Sequence, residues 1–126
     1  MYRPKYWSYA PELGRIVIDI PTRTLSFYYS GRAFGPYPVG LGKPSTPTPA
    51  GNWRVVEKFE NPAWEVLGSR WMGLDVPFGN YGIHGTNKPY SIGSYASHGC
   101  IRMFNDSVEE VYPLTKIGTP VKIIDT

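Results

Sequence analysis

Apolar and polar residues alternate in short runs along the first third of the chain. Over residues 15–20, Ile16, Ile18 and Ile20 share one face of an extended, β-branched segment. Pro21, Thr22 and Arg23 turn the chain. Leu25, Phe27 and Tyr29 then share one face over residues 24–29, and Ser30, Gly31 and Arg32 form the next turn. A third strand is predicted over residues 33–41, so that the three make an antiparallel meander. Pro44, Pro47 and Pro49 mark residues 42–49 as a loop, because proline cannot donate to a central ladder. A further strand is predicted over residues 51–59. Residues 61–80 carry no clear period. Their aromatics Trp64, Trp71 and Phe78 would either line a cleft or fill a core.

Later in the chain, residues 81–84 read as a short strand ending before Gly85, and residues 87–96 as a polar loop. The one good helix signal spans residues 105–115. Asp106 and Glu109 have the spacing of a capping box, Val108, Val111 and Tyr112 share a helical face, and Pro113 limits the helix. Residues 119–124 close the chain as a strand. No repeat or linker divides it, so one domain is expected over residues 15–126, preceded by an aromatic, basic arm over residues 1–14.

Composition agrees with a β-rich fold. The chain has 126 residues, with 14 Gly and 13 Pro, enough for many tight turns between short strands. At 41% apolar and 18% charged residues it is not the composition of a disordered chain. The net charge of +3 comes without a run of Lys or Arg, so nucleic-acid binding is not supported. A mildly basic surface suits an anionic polymer as well as plain solvent. No segment is long and apolar enough to span a bilayer, and the first residues do not read as a secretory signal. A monomer is the default expectation.

Only three residues are soft nucleophiles or imidazole bases: His84, His98 and Cys100. A lone cysteine is ordinarily a small buried hydrophobe, and a lone histidine a satisfied core or surface residue. Context changes this. Gly99 before Cys100 permits a tight turn and close approach of a carbonyl substrate. The N–H groups of Gly99 and Cys100 could then point at a developing oxyanion. A thiolate needs a nearby base, and His84, at the end of a strand, can take the thiol proton if that strand pairs beside Cys100. The imidazole in turn needs an acceptor at its other nitrogen. No carboxylate lies close in sequence, and a backbone carbonyl is an alternative.

The run His84-Gly85-Thr86, followed by Ser97-His98-Gly99-Cys100-Ile101-Arg102-Met103, resembles the L,D-transpeptidase catalytic domain, also called the YkuD domain. The resemblance extends to the segment 42–51, with its Thr-Pro-Thr-Pro pattern, and to the closing strand at Gly118-Thr119-Pro120-Val121. It implies a mostly β fold, a β-sandwich of antiparallel and mixed strands with one short helix after the catalytic cysteine. It also implies Cys100 as nucleophile, His84 as general base and acid, and the Gly85 backbone carbonyl as the group that orients His84. Gly99 and Cys100 would supply the oxyanion donors. Arg102, His98, Ser97 and Tyr81 would contact substrate. The implied partner is a peptidoglycan stem peptide on the cell-wall side of the envelope, in a bacterium. The reaction would be acyl transfer through a thioester, open to interception by carbapenems, with no metal, nucleotide or organic cofactor. With no signal peptide visible, a spore-associated role or a truncated chain is the alternative location.

Two rivals come from other classes. Cys100, His84 and His98 with a water could hold a catalytic zinc, although the closeness of His98 and Cys100 along the backbone makes convergence awkward. A non-catalytic wall-binding or spore-coat module would use Tyr2, Tyr6, Trp7 and Tyr9 of the arm.

Overall fold

The computed structural model describes residues 13–126, and the predicted arm lies almost entirely outside them. Nine strands follow in chain order: β1 (Arg15–Asp19), β2 (Thr24–Tyr29), β3 (Arg32–Gly42), β4 (Gly51–Glu60), β5 (Arg70–Leu74), β6 (Gly82–His84), β7 (Tyr95–Ser97), β8 (Ile101–Met103) and β9 (Pro120–Ile124). One helix, α1 (Asn105–Val111), separates β8 from β9 and continues into a 3-10 turn over Tyr112–Leu114. Among the described residues no helix is long and apolar enough to cross a membrane.

The mostly β fold with one short helix after Cys100 is as expected, but the strands do not form two separate sheets. They pair in the order β2-β1-β9-β4-β5-β6-β8-β3, and β3 also pairs with β2, which closes the sheet into a barrel. The length of β3 makes closure possible. Its first part, Arg32 to Pro38, pairs antiparallel with β2. Val39 and Gly40 then pair with β8, and Leu41 and Gly42 with β7. One strand that changes partners along its length joins both edges of the sheet, and closure removes those edges from solvent. Most neighbours are antiparallel, whereas β1–β9, β6–β8 and β3–β7 are parallel.

The barrel interior is lined by the alternating residues. Ile16, Ile18, Leu25, Val39, Leu41, Val55, Met72, Ile83, Ile101 and Met103 are fully buried. The register between β6 and β8 places the site. Ile83 faces Ile101 across this parallel pair, and both point inward. Burying each such side chain contributes about 1.5–3 kcal/mol. A slip of one residue would turn both outward, so the register is strongly held. Their neighbours His84, Cys100 and Arg102 are thereby directed to the outer face.

The helix differs from its prediction in one respect. It begins at Asn105 after Phe104, and no side-chain cap closes its first turn. Asp106 is already inside the helix, so it cannot cap as the Asp106/Glu109 pattern predicted. Val108 and Val111 are buried as expected.

Candidate active site

The site lies on the outer face of β5, β6 and β8. His84 pairs with Arg102 on β8 and with Trp71 on β5. Two residues before the His84–Arg102 level, the Gly82 N–H hydrogen-bonds the Cys100 sulfur. The thiol also contacts the Asn80 carbonyl, with sulfur and oxygen 3.7 Å apart. The end of the β5–β6 connection therefore holds the resting thiol on both sides. Burial pushes the Cys100 thiol up, and the Gly82 N–H and the Arg102 charge oppose this only in part. At neutral pH the resting group is a thiol.

His84 is buried, with its Nδ1 2.5 Å from the Gly85 carbonyl oxygen. A carbonyl can only accept, so Nδ1 carries the hydrogen and Nε2 is left as the basic nitrogen. The Trp71 indole stacks on the imidazole, with centroids 5.8 Å apart and planes at 26°. Trp71 can lie there because Gly82 has no side chain; a Cβ at that position would meet the indole at 2.5 Å. Burial holds the His84 pKa down at about 4, against the opposing bond to Gly85 and with a smaller contribution from the Arg102 charge. His84 is consequently a neutral base at pH 7.

Burial also links His84 to stability. Below its ordinary value of 6.5 the unfolded chain binds the proton first, so stability is lost as the pH falls from 6.5 to about 4. The full loss amounts to ~3 kcal/mol. Replacing Trp71 with alanine opens the imidazole to water, and its pKa rises toward 6.5. The acid limb of any Cys100 reaction that uses His84 as base should then move up by about one to two pH units. Titration of His84 by NMR, beside the pH profile of Cys100 reactivity, checks this; an unmoved His84 titration in Trp71→Ala would contradict it.

The loop before Cys100 is braced from several sides. Gly99 has φ +118°, and a Cβ there would meet the Tyr81 ring at 2.5 Å. The Thr48 hydroxyl, buried, accepts the Gly42 N–H and donates to the Gly99 carbonyl, both at 2.9 Å. The Thr46 hydroxyl donates to the Ser97 carbonyl at 3.0 Å. The threonines of the proline-rich segment thus tie it to the loop before Cys100.

Ser97 and Gly99 sit differently from their expected roles. Ser97 is 2% exposed, and its hydroxyl donates to the Cys100 carbonyl at 2.7 Å while accepting the Gly99 N–H at 3.0 Å. Ser97 therefore shapes the loop and presents no free hydroxyl to a substrate. The Gly99 N–H, expected to face an oxyanion, is engaged by the nearest acceptor within its own turn. Arg102 is half-buried on the same face as His84, and His98 is exposed. Tyr81 packs over Gly99 and meets Phe78 edge-to-face at 5.9 Å; Phe78 in turn meets Trp53 at 6.2 Å. Of the three aromatics left open by the sequence, none enters the core. Trp71 covers His84, Phe78 is exposed above Tyr81, and Trp64 is exposed beside a groove of about 450 Å³ that Trp71 also lines. Among the described residues, no three His, Cys, Asp or Glu side chains gather as metal ligands, so Cys100, His84 and His98 do not form the alternative zinc centre.

Residues 14–123 match the sequence profile of the L,D-transpeptidase catalytic domain. The chain belongs to this family. It is 41% identical over 109 residues to the YkuD protein of Bacillus licheniformis, whose name assigns it as an L,D-transpeptidase; the match covers 86% of this chain and 64% of that relative. The chain thus spans less than two thirds of that relative's length. Its fold is similar to the solved catalytic domain of the Enterococcus faecium L,D-transpeptidase, with a TM-score of 0.75 at 27% identity, covering 90% of this chain and 98% of that one. It is also similar to a structure described as the Ldtfm-avibactam carbamoyl enzyme, with a TM-score of 0.78 at 27% identity over 90% of this chain and 49% of that chain.

Asn105 carries a role that sequence reasoning missed. Its Oδ1 accepts the N–H groups of Ser69 at 3.2 Å and Thr86 at 3.1 Å. The only local signal was an asparagine at the start of a predicted helix, which ordinarily suggests capping.

Proposed function

We propose that this domain catalyses peptidoglycan L,D-transpeptidation through a thioester on Cys100. The observation that carries this reading is the neutral His84, with its Nδ1 tied to the Gly85 carbonyl, on the strand paired with β8, which Cys100 immediately precedes. Membership of the family and similarity to the avibactam carbamoyl enzyme support it.

The substrate is a tetrapeptide stem. Cys100 Sγ attacks the carbonyl that joins the L-centre of diaminopimelate to the terminal D-Ala, while His84 Nε2 takes the thiol proton. Because thiol and imidazole both rest neutral, proton transfer accompanies attack, and the enzyme does not begin from a stored ion pair. The Cys100 N–H is the oxyanion donor we assign, since Ser97 already engages the Gly99 N–H. Collapse of the tetrahedral adduct breaks the C–N bond, and His84 returns the proton to the departing D-Ala amine. An amine of a second stem then attacks the thioester, His84 accepts its proton, and the thiol is restored. Water in place of the amine gives the carboxypeptidase outcome. Arg102, whose charge reaches both Cys100 and His84, is assigned to a carboxylate of the stem. No step calls for a metal or an organic cofactor. The reaction belongs on the wall side of the bacterial envelope.

Incubation with purified disaccharide-tetrapeptide, followed by mass analysis, tests the reading. The expected products are free D-Ala and a dimer whose mass is that of two substrates less one D-Ala. Folded enzyme that releases no D-Ala from this substrate would overturn it.

A further inference from the structure

We infer that Asn105 is a positioning residue for the general base and acts on His84 through a single peptide plane. The inference rests on the reading of His84 as that base.

The peptide that joins Gly85 to Thr86 has two polar edges. On one edge the Gly85 carbonyl meets His84 Nδ1. On the other the Thr86 N–H donates to Asn105 Oδ1 at 3.1 Å. A trans peptide is planar, and its C=O and N–H point in opposite directions. Fixing the N–H therefore fixes the carbonyl. A rotation of this plane that freed Thr86 from Asn105 would also turn the Gly85 oxygen away from His84. The Gly85 N–H is held separately by the Arg70 carbonyl at 3.1 Å, which leaves this plane as the movable element.

The side chain's orientation follows from its partners. Two N–H donors converge on one atom of Asn105, so that atom is the oxygen. The surroundings are closed around it. A Cβ at either Gly68 or Gly85 would collide with Asn105 Oδ1, so both backbones approach because they are glycines. Asn105 also follows β8 directly, two residues after Met103. The strand that follows the nucleophile is thereby coupled to the carbonyl that orients the base. Without this clamp His84 can adopt the other tautomer, with its hydrogen on Nε2, and that form cannot accept the thiol proton.

The test compares the full chain with Asn105→Ala and Asn105→Asp. Two quantities are read: the ring ¹⁵N shifts of His84, and the rate at which a carbapenem acylates Cys100 by intact-protein mass spectrometry. In Asn105→Ala the shifts should move toward a mixture of tautomers, and acylation should slow by about tenfold or more. Asn105→Asp keeps an oxygen for both N–H groups. It should retain the Nδ1–H tautomer, and its added negative charge should lift the His84 pKa. This second variant is informative whether or not Asn105→Ala folds. Wild-type His84 shifts in Asn105→Ala, or an unshifted His84 titration in Asn105→Asp, would overturn the clamp. Altered tautomers with unchanged acylation would instead overturn the role of His84 as base.

Discussion

Cys100→Ala should abolish the reaction altogether. No D-Ala should leave a tetrapeptide stem, and no carbapenem adduct should form, whereas the wild-type chain gains one adduct mass. The loss is complete because Cys100 is the only cysteine in the chain, and no other soft nucleophile lies in the site. Folding should survive. The thiol's links are a long contact to the Asn80 carbonyl and a bond from the Gly82 N–H, both at the surface end of a strand whose inward residue is Ile101. Intact-protein mass spectrometry with a thermal melt on the same sample separates loss of chemistry from loss of fold. An adduct retained in Cys100→Ala would remove the cysteine from the mechanism.

The second large effect is expected at His84. Removal of a general base ordinarily costs about 10²- to 10⁴-fold. The upper part of that range applies here, because burial pushes the Cys100 thiol up and leaves little thiolate without a proton acceptor. In His84→Ala the residual rate should climb about tenfold per pH unit through and beyond the ordinary thiol range, as direct ionisation replaces transfer to the base. In the wild-type chain the rate should instead level off above the His84 pKa of about 4. A flat profile for His84→Ala at neutral to alkaline pH, or a variant as fast as wild type, would contradict the assignment.

The expected behaviour of both variants rests on residues that the sequence made visible. One cysteine and two histidines leave few candidates, and the glycine at position 99 marked the turn that places Cys100. Strands β1, β2 and β9 were also legible, since alternate residues of each are buried, which writes a period of two into the chain. Strand β5 was not. Met72, Gly73 and Leu74 are buried in succession, with Gly73 lying against Glu57, while Trp71 is covered by its packing on His84. No alternation survives such burial on both faces. Strands β7 and β8 have three residues each, too few to show a period.

By itself, the sequence determined the chemical types available at the site and their order: a strand ending in His84, then a glycine turn into Cys100, with Arg102 two residues on. The tertiary structure alone decided how those groups are set. Closure of the barrel came from the change of partners along β3, which no local pattern records. The neutral state of His84 came from its burial by the fold, where Trp71 of a neighbouring strand stacks on it, and the loop geometry from Thr48, whose bond to Gly99 spans 51 residues. Ser97 and the Gly99 N–H, read as substrate-facing, turned inward to each other. The physical reason is common to all of these. Pairing, stacking and hydrogen bonding act between groups brought together by the fold, and sequence periodicity reports only which side of its own strand or helix a residue occupies.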